Sequence, residues 1–205
     1  MNRSEIIAFH TVSLRESAAV ALAAIDACAE PLADAIEAVV RSYRRGGKVL
    51  FCGNGGSAAD CQHLATELMV RLSHDIDRPA LAALSLCTDP SAMTAGGNDL
   101  GFERVFERAV EGLGREGDVL IGISTSGGSR NVARAMERAR SIGMTTIAFL
   151  GGDGGAIKDL CDIAVVVPSA DVQRIQETHI ALGHILCQSV ELTLYPILQT
   201  NQSHA

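Results

Sequence analysis

In the stretch Lys48-Val-Leu-Phe-Cys-Gly-Asn-Gly-Gly-Ser-Ala-Ala-Asp-Cys-Gln-His-Leu-Ala-Thr-Glu67, the pattern of residues predicts a buried strand, a glycine turn and the first turns of a helix. Gly53, Gly55 and Gly56 allow the backbone to turn sharply and to approach a ligand closely. Ser57 stands where a side-chain oxygen would cap the helix that follows. Free amides and the positive end of the helix dipole would then face a bound anion. The stretch therefore indicates a loop that can cradle a phosphate.

Two side chains suited to metal binding or proton transfer follow on the same predicted helix. His63 and Glu67 are four residues apart, so they project from one helical face. Spacing alone favours an ordinary solvated pair, because a metal needs more ligands than two. The C-terminal segment offers Gln176, His179 and His184 near one helical face. Spacing does not choose between these two histidines, and a lone histidine buried in the core is an equally ordinary explanation for either.

A second glycine and hydroxyl loop repeats the first. The apolar run ending at Ile123 leads into Ser124-Thr-Ser-Gly-Gly-Ser129 and then into another predicted helix. Ligands of parallel α/β sheets bind at the carboxyl ends of the strands, so both loops are expected at one edge of the sheet. The two loops together favour phosphate binding over plain chain reversal. Neither has the lysine of a P-loop or the GxGxxG spacing of a dinucleotide fold, which argues against a nucleoside triphosphate or NAD.

Apolar runs that alternate with helical patterns predict an α/β fold: a five-stranded parallel sheet flanked by helices, like flavodoxin or Rossmann domains. The predicted strands are 48–52, 80–86, 118–123, 145–150 and 163–167. The predicted helices are an N-terminal pair over 4–29 and 31–45, a helix from the first loop to about 73, a short one from 90 that ends at 96–99, and others over 101–113, 130–141 and 171–194. We divide the chain into N-terminal helices (1–46), one core domain (47–200) and a tail (201–205).

Composition limits the partners and the compartment. The chain has 205 residues and a net charge of −7, so it has no general electrostatic attraction for nucleic acid or an anionic membrane. The N-terminus has no signal-peptide pattern, and polar residues interrupt the most apolar late segment. Six cysteines without CxxC pairs are typical of a reducing cytoplasm. The alanine-rich run over 18–25 predicts a helix buried on most sides, and therefore packing against another subunit.

Taken together, the motifs resemble the sugar isomerase (SIS) domain family, and within it the phosphoheptose isomerases. The resemblance covers nearly the whole chain. The matching motifs are Cys52-Gly-Asn-Gly-Gly-Ser57, His63-Leu-Ala-Thr-Glu67, Gly97-Asn-Asp99, Gly117-Asp-Val-Leu-Ile-Gly-Ile-Ser-Thr-Ser-Gly127, Asp153-Gly-Gly155, and Arg174-Ile-Gln-Glu-Thr-His-Ile180 with His184. One position departs from the pattern: Gln173 stands where some relatives carry an aspartate.

The resemblance implies an enzyme that interconverts D-sedoheptulose 7-phosphate and D-glycero-D-manno-heptose 7-phosphate, the first step of bacterial heptose biosynthesis. It implies a homotetramer with active sites between subunits. It also implies Zn²⁺ as cofactor, one ion per subunit, held by His63, Glu67, Gln176 and His184, with Glu67 and His184 catalytic. The implied substrate-binding residues are Gly53, Asn54, Gly55, Ser57, Arg71, Asn98, Asp99, Ser124, Thr125, Ser126, Ser129 and Gln176; Asp60 also falls on an active-site position.

Two alternatives remain open from the sequence. SIS domains also serve as sugar-phosphate sensors and as scaffolds, including a replication-initiator-associating protein that lacks the glutamate of the first helix. Here Glu67 is present with the other acid–base residues, which favours an enzyme. The loops do not exclude an isomerase of another phosphorylated sugar, such as a pentose or hexulose phosphate.

Overall fold

A five-stranded, all-parallel sheet with the strand order β2-β1-β3-β4-β5 forms the centre of the molecule. The strands are β1 (Val49–Gly53), β2 (Ala83–Ser85), β3 (Val119–Ser124), β4 (Thr145–Gly151) and β5 (Ile163–Val167). The α-helices are α1 (Arg3–Arg44), α2 (Gly56–Met69), α3 (Pro90–Asp99), α4 (Val105–Leu113), α5 (Arg130–Ser141) and α6 (Val172–Leu194), and 3-10 helices cover Phe102–Arg104 and Ala156–Leu160. The predicted α/β class and parallel sheet are confirmed.

The structure, a computed structural model, describes residues 1–72 and 76–196. The predicted tail over 201–205 lies outside these residues, as do the last four positions of the predicted core domain. Among the helices within them, none is long and apolar enough to cross a membrane.

The order of the strands places the two glycine loops side by side. Strands β1 and β3 are neighbours, with Gly53 in register with Ile123 at their carboxyl ends. The chain runs outward from this pair in opposite directions, to β2 on one side and to β4 and β5 on the other. A sheet of this order has its switch point between those two strands, and ligands bind in the crevice there. The loop after β1 and the loop after β3 therefore flank the expected binding crevice.

Helices cover both faces of the sheet. Along β1, Val49 and Phe51 point into the core shared with α1, α2 and α6, whereas Leu50 and Cys52 point into the core shared with α4 and α5. This alternation is the period of a β-strand, and burial of both faces explains why the strands are apolar runs. Helices α2 and α6 thus lie on the same face.

The N-terminal segment is one helix, and the prediction of two helices over 4–29 and 31–45 was wrong. Helix α1 runs through Pro31, whose ring normally interrupts a helix because it removes one hydrogen bond and crowds the preceding turn. Cys28, Leu32 and Ala35 lie on either side of that turn and are buried in the core with α6. Their packing stabilises the helical path across the proline. The helix ends at Arg44, and Gly46 adopts a positive φ just beyond it.

Four further boundaries differ from prediction. Strand β2 covers only Ala83–Ser85 of the predicted 80–86. Helix α2 ends at Met69 rather than near residue 73. Gly96 and its neighbour do not break α3, which continues to Asp99, because two glycines weaken a helix without ending it. The segment over 101–113 divides into a 3-10 turn and α4. The start of α3 at residue 90 is as predicted: Asp89 caps the helix by accepting from the amide of Ala92, and proline occupies the first helical position.

Candidate active site

His63, Glu67 and His184 meet at one point between α2 and α6. The His63 Nε2 atom lies 2.7 Å from His184 Nε2 and 3.3 Å from Glu67 Oε1. The two imidazole rings meet edge to face, with centroids 4.9 Å apart. One ligand atom from each residue lies within 4.8 Å of the others. His63 is exposed and the other two are half-buried, so the cluster is open to a small molecule.

The close approach of α2 and α6 explains why these residues meet. Gly183 precedes His184 and packs directly on Leu64, which follows His63. A β-carbon at position 183 would overlap the Leu64 side chain, so only glycine permits this spacing. One turn further along α6, Cys187 contacts the Leu64 carbonyl. The helix contact therefore brings residues 121 positions apart into hydrogen-bonding distance.

The structure separates the two histidines that spacing left open. His184 joins the cluster, whereas His179 is fully buried, with Nε2 2.9 Å from the Leu150 carbonyl oxygen and its ring beside Phe149. Burial lowers the pKa of His179 to about 4, so its imidazole is neutral near pH 7. His179 is the core histidine of this helix.

Gln176 lies against the start of α2. A β-carbon at Gly56 would overlap its carboxamide, so this glycine makes room for the side chain. Burial raises the pKa of the neighbouring Asp60, because it disfavours the charged form of that carboxyl group. Gln176, Asp60 and Gln173 line one open pocket with Glu177 and Ile180.

The first loop has the predicted turn but a different cap. Gly55, with a φ of 56°, is the N-cap residue of α2, and Ser57 is the second residue of the helix, buried and without a capping hydrogen bond. The prediction that Ser57 caps the helix was therefore wrong. Because Gly55 adopts a positive φ, the helix begins at Gly56 instead of after Ser57. The first amides of α2 therefore have no side-chain partner.

Asn131 connects the two loops by hydrogen bonds to Asn54. The sequence pattern had not indicated this residue. Asn54 and Asn131 exchange two side-chain amide hydrogen bonds of 2.8 and 2.9 Å. Asn131 is buried in the first turn of α5, directly after the second loop. An asparagine just inside a helix start beside a glycine loop was the only available signal, and it is a common arrangement. The pair holds Asn54 in a fixed orientation at the switch point.

The second loop is a compact hydroxyl turn supported from behind. Ser124 Oγ lies 3.0 Å from Ser129 Oγ, and Ser126 Oγ accepts a hydrogen bond from the Gly128 amide at 3.2 Å. Gly127, at a φ of 62°, packs directly on the backbone of the glycine turn after β4. Thr125 is half-buried and Ser126 exposed. The loop therefore presents hydroxyls and amides at the amino end of α5.

The three-residue cluster fits a metal ion by its donor set. Two imidazole nitrogens and a carboxylate oxygen are ligands that zinc takes in proteins, commonly with a further position for water or substrate. Donors gathered from two helices within 4.8 Å are able to face a single ion. A divalent metal is thus compatible with the residues present.

The remaining predicted residues lie at the periphery. Asn98 and Asp99 are exposed at the end of α3, where the Asn98 amide donates to the Asp99 carboxylate at 2.6 Å. Arg71 is exposed two residues beyond the end of α2, so it does not share the helical face of Glu67. Within the described residues, hydrogen bonds connect none of these three to the His63 cluster.

Known proteins are similar to this chain in both sequence and fold. The family model of the SIS domain matches residues 14–151. A phosphoheptose isomerase of Chlorobaculum parvum is 56% identical over 154 residues, which are 75% of this chain and 74% of that protein.

Two solved structures agree with this match. A phosphoheptose isomerase from Neisseria gonorrhoeae aligns with a TM-score of 0.84 and 42% identity, covering 93% of this chain and 99% of the other. One from Francisella tularensis aligns with a TM-score of 0.86 and 36% identity, covering 93% and 98%. These similarities in sequence and structure agree with the two glycine loops and with the cluster of His63, Glu67 and His184. The chain therefore belongs to the SIS-domain family and, within it, to the phosphoheptose isomerases.

Proposed function

We propose that this protein interconverts D-sedoheptulose 7-phosphate and D-glycero-D-manno-heptose 7-phosphate, the first step of bacterial heptose biosynthesis. The observation that carries the proposal is the junction of a carboxylate and two imidazoles beside two loops that can hold a phosphosugar. The relatives named above are phosphoheptose isomerases, and the chain spans about three quarters or more of their length.

The chemistry requires one group that moves a carbon-bound proton and one that moves an oxygen-bound proton. After the sugar ring opens, Glu67 removes the proton from C1 of the ketose, exchanges it with solvent on the open side of the cluster, and returns a proton to C2. His184 takes the proton from the C1 hydroxyl and delivers it to the oxygen at C2, so that the cis-enediol collapses to the aldehyde. The half-buried Glu67 and His184 come from two different helices and have ligand atoms within 4.8 Å of each other, so both can reach adjacent carbon and oxygen atoms of one substrate.

The substrate phosphate is assigned to the second loop. Its hydroxyls and free amides face the start of α5, where the helix dipole favours an anion. The residues assigned to the phosphate are Ser124, Thr125, Ser126 and Ser129. The sugar hydroxyls are assigned to the first loop and to peripheral polar groups, namely Gly53, Asn54, Gly55, Ser57, Arg71, Asn98, Asp99 and Gln176.

Zinc is the proposed cofactor, one ion per subunit. We assign His63, Glu67, Gln176 and His184 as its ligands; three of these form the cluster described above, and Gln176 lies on the same face of α6 about two turns earlier. Because Glu67 also moves the carbon-bound proton, its carboxylate would have to loosen from the ion during turnover. When bound, the ion would supply Lewis-acid polarisation of the substrate oxygens.

A homotetramer is the proposed assembly. The first half of α1 leaves large apolar side chains exposed, among them Ile6, Ile7, Phe9, Val12 and Leu14. Exposed apolar surface of this extent is typical of a surface that another chain covers. A cytoplasmic location stays a prediction from cysteine usage.

The substrate is tested with a panel of phosphorylated ketoses of five, six and seven carbons, compared by kcat/KM on the zinc-loaded protein. We expect sedoheptulose 7-phosphate to be preferred by at least about tenfold, since a chain one carbon shorter loses contacts in the transition state. A higher kcat/KM for a pentose or hexulose phosphate would replace the proposed substrate. Turnover of none of them by folded, metal-loaded protein would favour a sensor or a scaffold.

A further inference from the structure

Arg78 is a fully buried cation beside the candidate active site, and none of the chemistry above uses it. Its side chain is 0% exposed, and that of Glu191, its partner on α6, is 1% exposed. Arg78 Nε and Nη2 each lie 2.6 Å from Glu191 Oε1. Burying a cation and a carboxylate costs solvation, and such a pair often adds little to stability over an apolar pair of similar volume. The pair is therefore better explained by what it holds in place than by a contribution to stability.

The other contacts of Arg78 show what the pair holds. Nη2 donates to the backbone carbonyl of Glu67 at 2.8 Å, and Nη1 donates to the carbonyl of Pro79 at 3.0 Å. Glu191 Oε1 also accepts from the Leu72 amide at 3.3 Å, just beyond the end of α2. One ion pair thus joins the last turn of α2, the segment after it and α6.

The end of α2 needs such a partner. Helix α2 ends at Met69, so the Glu67 carbonyl is among the last four, which have no amide partner within the helix. A guanidinium at that position satisfies the carbonyl, and its charge is favourable at the carboxyl end of a helix. Without it, the turn that carries Glu67 is free to fray.

Glu191, the partner of Arg78, lies on the same helix as His184. Glu191 lies seven residues after His184 on α6, which is two helical turns, so both project from the same face of that helix. Arg78 therefore connects the backbone of Glu67 to the face of α6 that bears His184.

We propose that Arg78, held by Glu191, is a positioning residue that sets the Glu67 carboxylate against His63 and His184. The proposal rests on the function proposed above for that cluster. Removal of a group that orients a metal ligand typically lowers metal affinity or activity by 10- to 100-fold.

The test compares Arg78→Met combined with Glu191→Leu against the unaltered protein. The double change replaces the ion pair by apolar side chains, so the fold is expected to survive while the Glu67 carbonyl loses its donor. We expect zinc affinity, measured by competition with a chromophoric chelator, to fall at least about tenfold, and kcat to fall about 10- to 100-fold with KM within about threefold. An unchanged zinc affinity and kcat in a folded double variant would overturn the proposal.

Arg78→Lys serves where the double variant fails to fold. A single ammonium keeps the charge beside Glu191 but lacks the planar fork that reaches three acceptors, so zinc affinity and kcat are again expected to fall. A lysine variant with unaltered zinc affinity and kcat would contradict the proposal.

Lys48→Met is the matched control. Lys48 pairs with the buried Asp118 at 2.5 Å, at the end of β1 opposite to the loops. We expect lower thermal stability with unaltered zinc affinity and kcat. Zinc affinity distinguishes a failure of this inference from a failure of the proposed function. If the unaltered protein turns over no sugar but the Arg78 variants bind zinc more weakly, the proposed function is wrong and the positioning role of Arg78 stands.

Discussion

Glu67 is the residue on which the proposed chemistry depends most. Its carboxylate faces His63 at 3.3 Å, and its backbone carbonyl is bound by Arg78. A half-buried carboxylate between two helices, close to imidazole groups, is able to exchange a proton with a substrate that enters from the open side.

Glu67→Gln is expected to lower kcat by about 10²-fold or more, because the amide keeps the shape of the side chain but cannot take a proton. The measurement is steady-state turnover of sedoheptulose 7-phosphate, with circular dichroism to check the fold. Glu137→Gln, on the exposed side of α5, is the matched control and should retain normal kcat. Near-normal turnover of the Glu67 variant would remove it from the role of base.

His179 gives the molecule a predictable sensitivity to acid. Its pKa is about 4 in the folded protein and about 6.5 in an unfolded chain, so the unfolded state binds the proton more readily between these values. The stability contributed by neutral His179 is complete above pH 6.5 and is lost as the pH falls towards 4; by linkage it amounts to about 3 kcal/mol.

The prediction is checked by urea unfolding at several pH values from 7.5 to about 4.5, at one protein concentration. His179→Gln keeps a donor for the Leu150 carbonyl but cannot titrate, so its free energy of unfolding should fall less steeply with acid. The same pH slope in both proteins would mean that other groups cause the acid sensitivity.

Residue spacing placed His63 and Glu67 on one helical face but favoured an ordinary solvated pair, and it did not predict which residues of α6 meet them. Spacing admitted both histidines of α6, and the packing of Gly183 on Leu64 brings His184 to His63. The resemblance to the isomerase family named His184, and the cluster contains it. Arg78 was not singled out because an arginine before a proline in a loop has no local signal of burial.

At the scale of elements, the meeting of α2 with α6 determines the site. Glycines at two points let side chains of one helix press on the other: Gly183 against Leu64 and Gly56 against Gln176. These contacts have different expected consequences, because the Leu64 side chain is packed in the core whereas the Gln176 carboxamide is the end of a flexible side chain.

Gly56→Ala is expected to separate activity from stability. Alanine is a better helix former than glycine, and the φ of residue 56 is not positive, so thermal stability should be unchanged or slightly raised. The new methyl group displaces the Gln176 carboxamide, which should lower kcat/KM by about tenfold through misplaced contacts. Melting temperature and kcat/KM are measured together, with Gly112→Ala in α4, where a β-carbon meets open space, as control. Unaltered kcat/KM would show that Gln176 has no part in turnover.

Strands and loop positions followed from the sequence, because buried strands and glycine turns have strong local signals. Helix ends did so less well. Pro31 predicted a break that packing on both sides overrides, and Ser57 predicted a cap where Gly55 takes a positive φ instead. In each case contacts from distant parts of the chain outweighed the local preference.

At the scale of the whole molecule, α1 is the feature that a single subunit does not explain. A 42-residue helix with an exposed apolar first half projects from a domain that covers only its later part. Light scattering is expected to give four times the 21.5 kDa of one chain at micromolar concentration. Phe9→Asp with Ile6→Asp should give smaller species, since charges disfavour burial of that surface. A monomer in the unaltered protein would refute the proposed assembly.

Isomerisation through an enediol is measured by proton NMR of the zinc-loaded protein with sedoheptulose 7-phosphate in D₂O. Exchange of the transferred proton with solvent marks an enediol intermediate, which direct hydride movement would not do. We expect aldose signals to appear with deuterium at C2, because the proton held by Glu67 exchanges with solvent before it is returned. Aldose without deuterium would contradict the proton transfer by Glu67, and the absence of both aldose and exchange in folded, zinc-loaded protein would contradict the proposed function itself.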